Sequence, residues 1–169
     1  MFFFLLSSRA YAAIPKSGNI AVVVAAMSRH DATSYQIASA ESMIIKGLIA
    51  KGYKPVDEEI LAQVRDEKIL KAKADEDEYD DAAVLAIRRI SSQYGISMMI
   101  TVWLAASTRE DDLVGYVGRV SMVTIATDSN GKRLYSNTIE DRVIVHKSED
   151  AVPRAMESVV KKLINEMTQ

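Results

Sequence analysis

Two long apolar runs constrain the fold of this chain more than any other feature of its sequence. The first spans residues 19–27 (NIAVVVAAM) and the second spans residues 97–106 (SMMITVWLAA). A strand that is covered on both faces reads as an almost unbroken apolar run, so each run predicts an interior strand. Helical segments separate the two runs, which favours parallel pairing through a crossover connection. The sequence therefore predicts a sheet with a parallel pair of strands inside it.

Periodic apolar residues place helices around these strands. Gly52 follows the first periodic segment, where a residue with positive φ commonly ends a helix, and Asp57 precedes the second as a candidate N-cap. We expect Glu41 at the boundary of the core, because an unpaired buried carboxylate is costly. Pro153 falls in the first turn of the last segment, where its missing N–H costs little. The four predicted helices span residues 33–51, 57–70, 79–94 and 150–167.

The chain after the second apolar run predicts an antiparallel meander. Residues 114–127 and 134–145 alternate between apolar and polar side chains, as strands with one covered face do. Residues 128–131 (DSNG) form a strong hairpin signal, since Asn and Gly tolerate positive φ. A further short strand is predicted at residues 53–56. We therefore predict an α/β fold, as an α+β mixed sheet of about five strands, with a parallel inner pair, a C-terminal antiparallel meander and helices packed on the sheet.

Residues 1–13 differ in composition from the rest of the chain. The apolar run FFFLL is followed by small residues and by AYAA, an arrangement typical of the end of a secretory signal, with cleavage after Ala12 or Ala13. We interpret residues 1–13 as a signal-peptide-like segment and residues 14–169 as a single α/β domain, which predicts a periplasmic or secreted protein. The alternative is a cytosolic structural subunit whose apolar N-terminus packs against a neighbour.

Composition excludes several classes of function. The chain has 169 residues and a net charge of −2, so it lacks the positive footprint of a general nucleic-acid-binding protein. It contains no cysteine and two histidines, which excludes thiol nucleophiles, Cys-ligated zinc and multi-His metal sites. No segment after residue 13 approaches the ~20 apolar residues that a membrane-spanning helix needs. We therefore expect no cofactor, no metal and no catalysis, and a protein that acts by binding other proteins.

One polar loop is a candidate ligand site. It follows the first apolar run, at the carboxyl end of a strand, where open α/β sheets usually bind ligands. Its Ser, His and Asp are too close in sequence for a typical triad, and the chain has no G-x-S-x-G elbow and no Gly-rich phosphate loop. A small ligand-binding protein or enzyme using residues 28–34 stays an alternative to a polar turn in which Thr33 or Ser34 caps the next helix. The candidate residues are Ser28, Arg29, His30 and Asp31.

The predicted meander carries the candidate protein-binding residues. Tyr and Arg are enriched among the side chains that dominate protein–protein binding. An outer strand of a meander can also offer its edge to another chain. The candidates on these grounds are Tyr116, Arg119 and Tyr135.

Turn and cap motifs give the chain a resemblance to a group of exported bacterial proteins. Together with the apolar runs and the final amphipathic helix, they resemble the α/β modules shared by the curli-secretion lipoprotein CsgG, the lipoprotein activators of penicillin-binding proteins, the amino-terminal domain of TolB and a flagellar assembly protein of the outer-membrane ring. The likeness extends from Asn19 to Met167. The motifs are Gly52-Tyr53 with Asp57, Tyr94-Gly95 before Met98, and Asp128 with Gly131, Lys132 and Leu134.

This resemblance implies a non-enzymatic module of the bacterial cell envelope that binds proteins, as an accessory or assembly component of an outer-membrane or flagellar complex. It also implies a homo-oligomer or a ring subunit. The shared motifs are turns and caps, so they indicate the fold more directly than the role. Two features depart from the group: this sequence has no Cys to carry a lipid, and it has no insertions long enough for the membrane-spanning hairpins of the curli channel.

Overall fold

The two apolar runs form neighbouring parallel strands inside a mixed sheet. The computed structural model describes residues 13–28, 30–65, 69 and 81–169, so the signal-peptide-like segment lies outside the described residues except for Ala13. In chain order the elements are β1 (Asn19–Ala26), α1 (Ser34–Ala50), β2 (Lys54–Pro55), α2 (Glu58–Arg65), α3 (Asp81–Tyr94), β3 (Ile96–Asp111), β4 (Gly115–Asp128), β5 (Arg133–Val145) and α4 (Ser148–Thr168).

The sheet of the described chain has the strand order β2-β1-β3-β4-β5. Strand β1 is parallel to both β2 and β3, and β3, β4 and β5 form two antiparallel hairpins. The buried runs pair along their length, with Val22 beside Ile100 and Ala26 beside Leu104. The predicted fold class, with its parallel inner pair and C-terminal meander, is therefore confirmed.

The turn between β4 and β5 is held by the side chain of Asp128. Its carboxylate accepts hydrogen bonds from the backbone N–H groups of Asn130 and Lys132, at 2.8 and 2.9 Å. Gly131 has a φ of +80°, which an L side chain rarely adopts. A Cβ atom there would also approach Cγ1 of Val84 in α3 to 2.9 Å. The predicted hairpin turn is confirmed, and it packs against α3.

The two helical layers cover the sheet unequally. The core under α1 and α4 includes residues of β1, β3, β4 and β5. The core under α2 and α3 includes strand residues of β1 and β3 alone among the described residues. A sheet face is normally buried against another layer. Among the described residues, the core of the second layer therefore does not extend to β4 and β5, and α3 contacts that part of the sheet at the turn of residues 128–131.

Glu41 is not at the boundary of the core, as the sequence predicted, but inside it, with its side chain 5% exposed. Its carboxylate pairs with the guanidinium of Arg65 in α2 and accepts a 3.4 Å hydrogen bond from the backbone N–H of Val24. The hydrogen bond to Glu41 is the main cause that raises the pKa of Arg65. Burial is tolerated because the charge is paired, and the partner lies 24 residues away on another helix.

Strand β3 extends beyond its predicted end at Ala106, to Asp111. The added residues are polar, so the apolar pattern did not include them, and antiparallel pairing with β4 down to Gly115 holds them in the strand. Strand β1 ends opposite Leu104, so from Ser107 onward the only described strand that pairs with β3 is β4. The hairpin therefore extends past the parallel part of the sheet.

Asp141 links β5 to α4. Its carboxylate accepts a 2.8 Å hydrogen bond from Lys162 Nζ and another from the hydroxyl of Ser158. The backbone N–H of Arg142 also donates to it, at 2.8 Å. These bonds, the one from Lys162 foremost, lower the pKa of Asp141 from 3.8 to about 2.

We expect Asp141→Asn to lower the free energy of unfolding by about 1 kcal/mol near neutral pH, because a partly exposed pair is screened by solvent. A carboxylate whose pKa is lowered on folding stabilises the native state above its unfolded pKa. That contribution is lost as the pH falls through the folded pKa, so the variant and wild type should converge between about pH 4 and pH 2. Urea unfolding at about pH 7, 5 and 3 measures the difference, and a constant difference would contradict this assignment.

Candidate partner-binding surface

The outer part of the β3–β4–β5 meander has one face that no helix of the described residues covers. Helix α4 packs on the opposite face, over Val120 of β4 and Ile139 of β5. The described core of α2 and α3 includes β3 only at Ile96 and Met99, and α3 contacts the β4–β5 turn at Asn130. We call the uncovered surface the bare sheet face; its residues are Ser107, Arg109, Val117, Arg119, Ser121, Glu140, Arg142 and Ile144.

Strand register brings three arginines together on the bare sheet face. Arg119 of β4 lies directly opposite Arg142 of β5, and Arg109 of β3 is diagonal to Arg119. Directly opposed Cβ atoms are about 5 Å apart, and diagonal ones about 7–8 Å. The arginines line two open depressions of about 230 Å³ each, one of which also has Glu140 and Asp141 in its lining and the other Asp111. In the same two rows lie Ser107, Val117 and Ile144.

None of these three guanidinium groups forms an ion pair or hydrogen bond within the part of the chain that the structure describes. Like charges directly opposite each other on antiparallel strands are destabilising. The acidic side chains of the same face lie at its ends, with Asp111 toward the hairpin tip and Glu140 toward the turn at residues 128–131. The bare sheet face is therefore a short basic patch bounded by acids.

Of the predicted partner-binding residues, only Arg119 lies on the bare sheet face. Tyr116 is an odd number of residues away on the same strand, so its side chain is on the opposite face. Its hydroxyl donates a 3.4 Å hydrogen bond to Glu110 Oε1. Tyr135 is 2% exposed and lies under α4, where its hydroxyl donates to Glu166 Oε2 at 3.3 Å. The three residues therefore do not form one surface.

Arg109 and Arg142 were not among the partner-binding residues predicted from the sequence. Arg109 follows the predicted end of β3, in its polar extension. Arg142 depends on a register shift at Ala126 and Thr127, without which it would lie opposite Gly118 on the face that α4 covers. The period-two alternation of side chains could have indicated which residues of one strand share a face. It relates the faces of β4 and β5 to each other only once the register shift is known.

The predicted ligand loop forms a turn at the carboxyl end of β1. The backbone N–H of Asp31 donates to the carbonyl of Ser28 at 3.1 Å. The carbonyl of Asp31 accepts from the N–H of Ala106 at 2.7 Å, which attaches the turn to β3. Arg29, the fourth candidate of this loop, lies outside the described residues.

The end of this loop caps α1, as the polar-turn interpretation predicted. The hydroxyl of Thr33 accepts from the N–H of Gln36 at 3.2 Å, and the side chain of Gln36 accepts from the N–H of Thr33 at 2.9 Å. A cavity of about 370 Å³ lies between the first turns of α1 and α4. The described loop side chains Ser28, His30 and Asp31 are not among its lining residues. The structure therefore does not bring them together in this cavity.

A metal site or a membrane-spanning helix would each indicate a different function. Within the described ranges, no three His, Asp or Glu side chains are close enough to hold a metal ion. No helix of the described residues combines the length and the apolar character needed to cross a membrane.

Known proteins match this chain in fold. No protein-family model and no curated protein sequence matches it. Lipoprotein GNA1162 from Neisseria meningitidis is 17% identical and matches with a TM-score of 0.57, over 88% of this chain and 99% of that chain. A PelC dodecamer from Paraburkholderia phytofirmans gives 16% identity and a TM-score of 0.59, over 94% of this chain and 93% of that chain. A minor lipoprotein from Acinetobacter baumannii gives 8% identity and a TM-score of 0.51, over 92% of each chain.

These similarities show a shared fold. The chain therefore has a fold found in bacterial lipoproteins, and the likeness extends over most of its length. This is the part of the predicted resemblance that the comparisons support. Identities of 8–17% assign no activity or partner.

Proposed function

We propose that this chain is a non-catalytic, protein-binding module of the bacterial cell envelope, with the bare sheet face as its binding surface. The observation that carries the proposal is that no helix of the described residues covers this part of the sheet, where Arg109, Arg119 and Ile144 are exposed. Exposed surfaces that combine arginine with apolar side chains are typical of protein interfaces. The meander is a rigid scaffold for such a surface, because α4 packs along its other face.

Chemistry and fold support the other parts of the proposal. The sequence has no cysteine and two histidines, and Ser28, His30 and Asp31 do not line the nearby cavity, which favours a non-catalytic role. An envelope location is supported by the signal-like composition of residues 1–13 and by the fold shared with bacterial lipoproteins.

Self-association belongs to the same proposal. PelC from Paraburkholderia phytofirmans is described as a dodecamer, which supports a homo-oligomer or ring subunit here. Strand β5 has no described neighbour on its outer side, so its backbone groups are available to a second chain. We infer that such an assembly serves as an accessory or assembly component of an outer-membrane or flagellar complex.

A photoreactive amino acid in place of Ile144 should form crosslinks to protein in bacterial cells that produce the chain. Ile144 is 53% exposed on the bare sheet face. The matched control position is Leu85 of α3, another aliphatic residue, which is 61% exposed and lies outside that face. We expect adducts at Ile144 in clear excess over Leu85, because contacts should concentrate on the binding surface.

The masses of the adducts identify the kind of partner. An adduct of twice the mass of the monomer from the same cells indicates self-association, and any other mass indicates a different protein. Equal crosslinking at Ile144 and Leu85, or none at Ile144, would contradict a binding role for the bare sheet face. Fractionation of the same cells tests location, and recovery with cytosolic proteins would exclude the envelope.

A further inference from the structure

The arginine cluster of the bare sheet face carries an electrostatic cost that the described chain does not offset. Arg119 and Arg142 are directly opposed, and Arg109 adds a third positive charge on the diagonal. No described acidic group pairs with any of them. All three belong to paired strands, so their backbone positions are fixed before any ligand arrives.

We propose that this cluster is a binding site for a carboxylate-bearing segment of a protein partner. This proposal rests on the proposed function, because the ligand is a protein. It adds the chemistry by which that protein is recognised. A guanidinium group binds a carboxylate through two parallel hydrogen bonds. A carboxylate between Arg119 and Arg142 can accept from both, which replaces the repulsion between them by attraction.

The spacing of the arginines fits two carboxylates of one extended segment. Side chains i and i+2 of an extended chain lie on one side, about 7 Å apart. Arg109 and Arg119 are separated by about 7–8 Å on the diagonal, so each can meet one of the two acids. Val117 and Ile144 share the row of Arg109 and give an aliphatic side chain of the same segment an apolar contact.

The acids at the ends of the bare sheet face favour a short acidic segment over a broad anionic surface. Asp111 lies one row beyond Arg109, and Glu140 lies one row beyond Arg142 on the other side. Asp112 adds another negative charge at the hairpin tip. An anionic membrane or a nucleic acid would meet these carboxylates together with the arginines, and the repulsion would oppose binding. A segment with two acids fits between them.

Peptide binding to the full chain tests the site. The probes are two fluorescein-labelled peptides, one in which Glu alternates with Thr and one with Gln in place of each Glu. We expect the Glu peptide to bind at least about tenfold more tightly than the Gln peptide, with an affinity that falls as salt is added. Replacing both opposed arginines, Arg119→Gln with Arg142→Gln, should weaken the Glu peptide about tenfold or more.

Two further double variants separate specific from general attraction. Arg154→Gln with Lys161→Gln removes the same charge from the exposed side of α4 and should change the affinity by less than about twofold. Arg119→Lys with Arg142→Lys keeps the positive charges but removes the planar guanidinium groups. Its affinity for the Glu peptide should lie between those of the wild type and the Gln double variant. All four side chains are exposed, so we expect these variants to fold, and circular dichroism checks that they do.

Several results would overturn the site. Equal weakening by the arginine and control variants would show general attraction to positive charge. A wild-type protein that binds both peptides equally, or neither, would show that the cluster does not recognise carboxylates. Arginine-dependent binding to phosphatidylglycerol vesicles without peptide binding would reassign the cluster to a lipid surface.

Crosslinking at Ile144 distinguishes failure of this site from failure of the proposed function. Crosslinks at Ile144 without binding of the Glu peptide would mean that the bare sheet face binds protein through other chemistry, and only the arginine site would fail. Loss of both would contradict the site and the protein-binding role together. Binding of the Glu peptide without crosslinks at Ile144 would support the carboxylate site but contradict the proposed protein-binding role in cells.

Discussion

Replacing Gly118 with alanine should destabilise the protein by about 3 kcal/mol or more. Gly118 lies on the face of β4 that α4 covers, and a Cβ atom there would lie 2.1 Å from the carbonyl oxygen of Ala151 and 2.2 Å from its carbonyl carbon. These are backbone atoms, so no change of rotamer relieves the overlap. Helix α4 would have to move away from β4, and the close-packed core between them would be disrupted.

A second glycine provides the matched control for this prediction. Gly52 has a φ of +86°, and no heavy atom lies within 4 Å of the position that a Cβ atom would take there, so Gly52→Ala should cost about 1 kcal/mol from backbone strain alone. The free energy of unfolding of the two variants, measured in urea, compares the cost of steric overlap at Gly118 with the cost of backbone strain at Gly52. A loss for Gly118→Ala no larger than for Gly52→Ala would show that α4 can shift without disturbing the core.

The fold was largely predictable because its strongest determinants are local patterns. The buried strands read as apolar runs, the helices as periodic segments, and the β4–β5 turn as Asp128 to Gly131. Boundaries were less accurate where polar residues belong to an element. Helix α4 begins at Ser148 and not at Asp150, so Pro153 lies beyond its first turn.

The candidate surface was much less predictable, because it depends on pairing between distant segments. Arg119 was identified from its residue type, but its neighbours Arg109 and Arg142 come from two other strands. The register shift at Ala126 and Thr127 determines which side chains of β5 share a face with Arg119. A one-residue slip moves every later side chain to the other face, and no local pattern marks the shift here. Tyr135 was also chosen by its residue type, and its side chain is buried under α4.

Replacing Arg65 with methionine should lower the free energy of unfolding by about 2 kcal/mol. The variant leaves the carboxylate of Glu41 buried, with its side chain 5% exposed and a 3.4 Å hydrogen bond from Val24. Loss of one partner of a fully buried pair costs about 3–5 kcal/mol. The side chain of Arg65 is 35% exposed, so solvent reduces the expected effect.

The surroundings of Glu41 predict that a second substitution, at Glu41 itself, restores the stability that Arg65→Met loses. Strand β2 pairs with β1 only at Asn19 and Ile20, so the N–H of Val24 lies on an edge that β2 does not cover, and Glu41 accepts from it there. Glu41→Gln with Arg65→Met removes the buried charge along with its partner but keeps an oxygen that can accept from the N–H of Val24, and it should come within about 1 kcal/mol of wild type in urea unfolding.

The exposed acid on the same guanidinium provides the control for this cycle. Glu58 pairs with Arg65 at 3.1 Å, but its side chain is 77% exposed, so Glu58→Gln should change stability by less than about 0.5 kcal/mol. If the double variant were as unstable as Arg65→Met alone, the cost would come from lost packing of the Arg65 side chain and not from an unpaired carboxylate. Recovery in the double variant, with Glu58→Gln near neutral, would locate the effect at the buried charge that joins α1, β1 and α2.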